Sequence, residues 1–395
     1  MVAVSEQQHH RPGEVGVEQA GPSDEQLTLE GPGNVSHGLH HSSCTVLTMR
    51  AVTVIPLKAN TVELTDFPEP PEDDGPVLVE TRAIGVCGTD IEIITGEYGW
   101  APPGEERLAL GHESLGEVLE APAGSGFAPG DLVVGIVRRP DPLPCINCAI
   151  GEWDMCRNGN YTEWGIKSHH GYARERYRIT PDFLVKISPS LGDLGVLLEP
   201  TTVVAKAWDH IGRIGARAKW EPRTVLVTGA GPIGLLAALL GAQRGLDVHV
   251  LDQVTSGLKP DLVAAIGATY HHGDIASTGL TPDIVLECTG VAQLVFDAMD
   301  DIGPNGILCL TGVSSKGRSL GIDAGEINRH MVLANDVVFG SVNANRSHYQ
   351  AGADALAKAD PTWLGRVISR RVTLDHWQDA YQRQPDDVKV VLQFS

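Results

Sequence analysis

Between an apolar run, Thr224-Val-Leu-Val-Thr228, and an apolar helix-length stretch, 233–244, the chain carries Gly229-Ala-Gly231-Pro-Ile-Gly234. A strand that must turn at once into a helix constrains the fold more than any other feature here. The first glycine permits the tight turn, the second lets the backbone approach a pyrophosphate, and the third lets the helix pack closely on its strand. The amides of the first helical turn then face the phosphates. A second apolar run, Val248-His-Val-Leu-Asp252, ends in an acid 23 residues after Gly229, near the spacing at which a carboxylate bonds ribose hydroxyls. Gly229, Gly231, Pro232, Ile233, Gly234 and Asp252 are therefore the expected dinucleotide contacts. Asp252 would repel a 2′-phosphate, and no basic residue follows it before Lys259, which favours NAD over NADP.

The same strand–helix alternation runs from about 201 to 340, with strands expected at 224–228, 247–251, 283–287, 306–311 and 337–340. That pattern implies an α/β architecture with a doubly wound parallel sheet. Residues 49–200 read differently, as short strands and Gly/Pro turns at 49–55, 77–81, 116–119 and 131–134, hence a β-rich domain. At 395 residues the chain exceeds one hydrophobic core, so two domains fit its length. Residues 1–48 have the Gly, Pro, Ser, Glu and His content of a disordered extension.

Metal chemistry is written into the β-rich half. Cys87-Gly-Thr89-Asp90 and Gly111-His112-Glu113, with Glu199 of Leu197-Leu-Glu199-Pro200, offer sulfur, nitrogen and oxygen donors. A thiol just before a helix, here expected to start at Asp90, is biased toward the thiolate that a metal needs. Three protein ligands with an open position are the pattern of catalytic zinc. Cys87, His112, Glu113 and Glu199 are the candidate ligands, and Asp90 is either a carboxylate behind them or a helix cap. A second cluster, Cys145, Cys148 and Cys156, has three thiols where closed zinc sites take four. It reads as a structural zinc site completed by Asp141, or as a lobe without metal.

The formal charge of −20 argues against nucleic acid or anionic membranes as partners. Seven cysteines, three of them within 145–156, suit thiols in a reducing cytosol better than a disulfide framework. The longest apolar stretch, 225–242, contains the glycine turn and reads as a buried strand and helix, not a bilayer span. No basic segment followed by an apolar one opens the chain, so a cytoplasmic protein is expected.

Over residues 49–395 these motifs resemble the zinc-containing medium-chain alcohol dehydrogenase superfamily, and within it the archaeal-type glucose dehydrogenases. The closer likeness rests on Cys87-Gly-Thr-Asp90, Gly111-His-Glu113, Val137-Arg-Arg-Pro140, Thr162-Glu-Trp-Gly-Ile166 before His170-Gly-Tyr172, Leu198-Glu-Pro200, Gly340-Ser-Val-Asn343 and the ending Val388-Lys-Val-Val-Leu-Gln-Phe-Ser395. The resemblance implies a GroES-like catalytic domain over 49–200, completed by 341–395, and a Rossmann domain over 201–340, with the active site between them. It assigns zinc to Cys87, His112 and Glu199, with Glu113 as a direct or exchanging ligand. Thr89, Glu163, Glu199 and Asn343 would face a sugar or polyol substrate, and Asn343 would also touch the cofactor. A homo-oligomer, dimer or tetramer, goes with the family.

Three departures stand out. The first cysteine of the family's structural-zinc lobe falls at Pro142. A histidine some glucose dehydrogenases carry about ten residues before the asparagine is replaced in a stretch holding Leu333 and Ala334. Basic residues that accept NADP after the second strand are missing. The expected reaction is zinc-assisted oxidation of an aldose at its anomeric hydroxyl. The alternatives are a sorbitol or threonine dehydrogenase-like activity, or a nucleotide-binding redox sensor using Cys145 and Cys148.

Overall fold

The computed structural model describes residues 48–314 and 319–394. The expected extension lies outside these residues except for Thr48. Strand Val77–Val86 is the axis of the first half. It pairs antiparallel with Glu113–Glu120 on one side and with the C-terminal strand Lys389–Gln393 on the other. Leu132–Gly135 and Leu184–Lys186 extend this sheet one way and Ile368–Thr373 the other, while Arg176–Ile179 also pairs with the axial strand. Val77, Val79, Ile84, Val118, Val133 and Tyr177 of this sheet are buried in one core, while the alternating Ala83, Leu115, Val134 and Val185 are buried in another, so both faces are covered.

The second half is a six-stranded parallel sheet in the order Thr269–His271, Asp247–Leu251, Thr224–Thr228, Ile284–Glu287, Ile307–Leu310, Val337–Gly340. Its central strands are apolar at nearly every position because helices cover both faces. The strand Thr269–His271 was not among the expected strands. It is three residues long, mixed in polarity and on the sheet edge, so neither run length nor alternation marks it.

Two expected helix starts move slightly. Helix Gly88–Ile94 begins before Asp90, with Cys87 as its N-cap, and the helix after the glycine turn is Pro232–Gln243. Residue 200 falls inside the continuous helix Leu198–Gly215, so the chain passes from the β-rich half to the parallel sheet along a helix. Helix Arg346–Lys358 packs along that helix, with Gly352 allowing close approach to Leu198.

A candidate metal centre facing a nucleotide loop

The glycine turn is built as its sequence requires. Gly229 has φ +90°, and a Cβ on Gly234 would lie 1.8 Å from the Gly229 carbonyl oxygen. Gly231, the helix N-cap, has open space where a side chain would be, leaving room for a ligand beside the first-turn amides. Asp252 braces the loop: Oδ2 accepts from the Ala230 N–H at 2.6 Å and Oδ1 from the Val254 N–H at 3.1 Å. Lys259 Nζ stands 3.1 Å from Oδ2. Burial works against the Asp252 charge, but these donors outweigh it and hold the carboxyl below its usual range. Gly234→Ala is expected to force Gly229 out of position and weaken dinucleotide binding by about tenfold or more, roughly 1.4 kcal/mol, in a fluorescence titration. An unchanged dissociation constant would show that the loop tolerates the methyl group.

Across from this loop, donor atoms of Cys87, His112 and Glu113 lie within 4.8 Å of one another. Local structure puts them there. The Cys87 N–H donates to Asp90 Oδ2 at 2.9 Å, and Cys87 Sγ accepts from the Asp90 N–H, closing a capping box that fixes the thiol at the helix start. Asp90 Oδ1 sits 3.3 Å from His112 Nδ1. Asp90 is thus both cap and carboxylate behind the imidazole, and its position leaves Nε2 as the nitrogen free to coordinate. His112 is fully buried; burial opposes its charge, yet Asp90 and Cys87 beside it raise its pKa well above the ordinary value.

Glu113 faces Gly85 across the sheet, where any Cβ would strike its carboxylate. The bare glycine lets the carboxylate reach Lys389 on the neighbouring strand, whose Nζ donates to Oε1 at 2.7 Å, to Oε2, and to the Val86 carbonyl at 3.1 Å. Glu199 is buried in the first turn of its helix, outside the 4.8 Å group. Burial pushes its carboxyl up to about 7, with His112 opposing and Glu113 adding to the rise. A half-buried thiol with one buried imidazole and two buried carboxylates suits a divalent, zinc-like ion, which would relieve the crowding of acidic groups.

Glu163 lies two residues before Gly165, whose backbone, at φ +71°, packs on the Gly111 carbonyl next to His112. Arg138 grips Glu163 Oε1 through Nε at 3.0 Å and Nη2 at 2.9 Å, and Asn343 Nδ2 donates to the same oxygen at 2.8 Å. Asn343 holds a left-handed φ of 62°, a conformation asparagine tolerates better than most residues. Thr89 stands half-buried in the first turn of helix Gly88–Ile94.

Cys145, Cys148 and Cys156 also converge within 4.8 Å, and Asp141 is outside the group, its Oδ1 accepting from the Leu143 N–H. The Arg157 N–H helps draw the Cys145 thiol down to about 6, while burial pushes Cys148 up to about 11. In a third convergence, Asp209, His210 and His348, Asp209 is paired with Arg213 at 2.9 Å.

A cavity of about 260 Å³ has Gly231, Pro232 and Ile233 on one wall and Cys87 and Glu113 on another. Lys259, Arg383 and Lys389 line it as well. Set beside known proteins, the alcohol dehydrogenase GroES-like domain matches residues 73–189 and the glucose dehydrogenase C-terminus matches residues 192–394. The chain belongs to the glucose dehydrogenases of the medium-chain zinc dehydrogenase superfamily. Its β-rich half is accordingly GroES-like, its parallel sheet is Rossmann-like, and it is a nicotinamide-dependent dehydrogenase. The glucose 1-dehydrogenase of Methanocella arvoryzae is 38% identical, over 87% of this chain and 99% of that protein. Glucose 1-dehydrogenase 2 of Vulcanisaeta moutnovskia is 41% identical over the same shares. The structure of Haloferax mediterranei glucose dehydrogenase with NADP, Zn and gluconolactone superimposes with a TM-score of 0.82 at 30% identity, covering 88% of this chain and 99% of that one.

The sequence motifs assign no role to Lys389, Arg138 or Arg383, although Arg138 and Lys389 lie inside stretches that carry the resemblance. A lysine flanked by valines in Val388-Lys-Val-Val was a usable signal, since a strand that apolar buries a lysine only beside an acid. Arg138 carried a weaker one, lying inside a stretch that was itself part of the resemblance.

Proposed function

We propose that this protein oxidises an aldose such as glucose at its anomeric hydroxyl, giving the lactone and reduced nicotinamide dinucleotide. The reading rests above all on the cavity that has the glycine loop and the Cys87–Glu113 cluster on facing walls. Cys87 as thiolate, His112 through Nε2, and Glu199 with Glu113 as a direct or exchanging donor would hold zinc. When bound, zinc supplies Lewis acidity at the sugar oxygen and the nicotinamide ring takes the hydride. Thr89 Oγ1 would accept the hydroxyl proton while passing its own outward, through the cofactor ribose, from the first turn of its helix. Glu163 accepts from sugar hydroxyls through Oε2, because its bonds to Arg138 and Asn343 all fall on Oε1. A sugar lacking the matching hydroxyl leaves Oε2 of that buried carboxylate without a donor and is disfavoured. The relatives named for glucose support an aldose.

NAD is the preferred cofactor in this reading, since Asp252 is fixed and ionised where the ribose hydroxyls arrive and Lys259 is engaged with it. Zinc in the Cys145–Cys148–Cys156 lobe would be structural. No helix among the described residues is long and apolar enough to cross a membrane, and three cysteines clustered as a metal lobe fit a cytoplasmic protein. A homo-oligomer is supported by the edge strand Val337–Gly340 and by the exposed apolar side chains of Leu320, Ile322, Val332 and Leu333 in the segment before it.

A spectrophotometric panel of aldoses, polyols and threonine with each nicotinamide, before and after chelation, tests the proposal. The expected result is aldose-dependent NADH formation, faster than NADPH formation and lost on chelation. Turnover of sorbitol or threonine with none of any aldose would overturn the sugar reading.

A further inference from the structure

We infer that Asp154, with its counter-ion Lys206, is a positioning residue that orients the substrate-binding carboxylate of Glu163 without touching the substrate. This rests on the sugar-binding role of Glu163 proposed above. Asp154 lies in the cysteine lobe, between Trp153 and Cys156, and its side chain is 1% exposed. Each polar group it carries leads to Glu163 by a different route. Its backbone carbonyl accepts from Arg138 Nη1 at 3.1 Å, and Arg138 is the residue that clasps Glu163. Its Oδ1 accepts from Asn345 Nδ2 at 3.0 Å, and its Oδ2 is 2.8 Å from Lys206 Nζ. Lys206 in turn donates to the Val342 carbonyl at 3.0 Å.

Val342 and Asn345 bracket Asn343, the other donor to Glu163 Oε1. The contacts therefore form a closed ring: Glu163, Arg138, Asp154, the segment 342–345, and back to Glu163. Asn343 has its left-handed backbone between two flanks that are both held. One buried acid thus fixes both sets of donors on the oxygen that turns Oε2 toward a hydroxyl. Because Asp154 belongs to the lobe of Cys145, Cys148 and Cys156, the order of that lobe is transmitted to the substrate site rather than to the nucleotide loop.

The test is steady-state kinetics of the zinc-loaded full chain carrying Asp154→Asn, Lys206→Met, or both. Each is expected to raise the sugar KM by about tenfold or more, as loss of a supporting hydrogen bond does behind other sites. The dinucleotide KM should rise by clearly less, since Asn343 is the one expected cofactor contact on this segment and the glycine loop lies outside the ring. The double variant should match the singles, since one ring is broken once. If Asp154→Asn fails to fold because Lys206 is left buried and unpaired, the double variant removes both charges and carries the comparison. An unchanged sugar KM in a folded variant, or a dinucleotide KM rising in step with it, would overturn the inference. Should the wild type oxidise a different alcohol, the same comparison is made with that alcohol. The substrate class and the role of Asp154 are thereby judged separately.

Discussion

Cys87→Ser should release one zinc equivalent per chain and lower kcat/KM by about 10³-fold or more. Serine is a good N-cap, and its oxygen can accept the Asp90 N–H as the sulfur does, so helix Gly88–Ile94 and the fold around it should survive. The loss is chemical. A cysteine sulfur is a strong zinc donor, whereas a serine hydroxyl in its place offers a poor, neutral one. Removing a Lewis acid worth several kcal/mol to the reacting oxygen gives the expected fall, about 4 kcal/mol for 10³-fold. Dinucleotide binding should hardly change, because the amides of the glycine loop remain in place. Elemental analysis and initial rates decide it together. Near-normal turnover in a variant short of one zinc would remove Cys87 from the metal centre. Zinc held by Cys145, Cys148 and Cys156 would persist in both proteins, so the difference in metal content, not its absolute level, is the relevant number.

Legibility followed the range of the interactions. The parallel sheet could be read because each central strand is a continuous apolar run, and Gly229, Gly231 and Gly234 each answer a separate local demand of the turn. Cys87 and His112 announced themselves through short motifs. What stayed hidden was set by partners far along the chain. The clasp on Glu163 joins residues 138, 163 and 343, and the cation opposite Glu113 arrives from residue 389, at the end of the sequence. Gly85 gave no local sign of its purpose, since its missing side chain matters only because Glu113 lies across the sheet. Edge strand Thr269–His271 was lost for the opposite reason: it is half-exposed and too short to impose any pattern. Asp90 was left open between two roles, and the structure gives it both, one for each oxygen.

The largest stability effect is expected at Lys389→Met. The side chain is 2% exposed and is the cation shared by a neighbourhood holding Glu113, Cys87, Glu199 and Asp90. Methionine fills the space of the lysine stem but leaves the Glu113 carboxylate buried and unpaired, and breaking such a pair costs about 3–5 kcal/mol. Burial lowers the Lys389 pKa, but Glu113 and Cys87 outweigh it, so the folded value lies above the ordinary one. A group raised on folding contributes its full stability below the unfolded lysine pKa and loses it only as pH rises through the folded value. The gap between wild type and variant should therefore be constant from pH 7 to 9 and close only above the ordinary lysine range. It should also be larger after chelation than with zinc bound, because a divalent ion at Cys87 and His112 offsets part of the same negative charge. Denaturant melts of both proteins, with and without chelator, measure all of this. A variant as stable as wild type without metal would mean that Glu113 finds another donor and that Lys389 is dispensable to the fold.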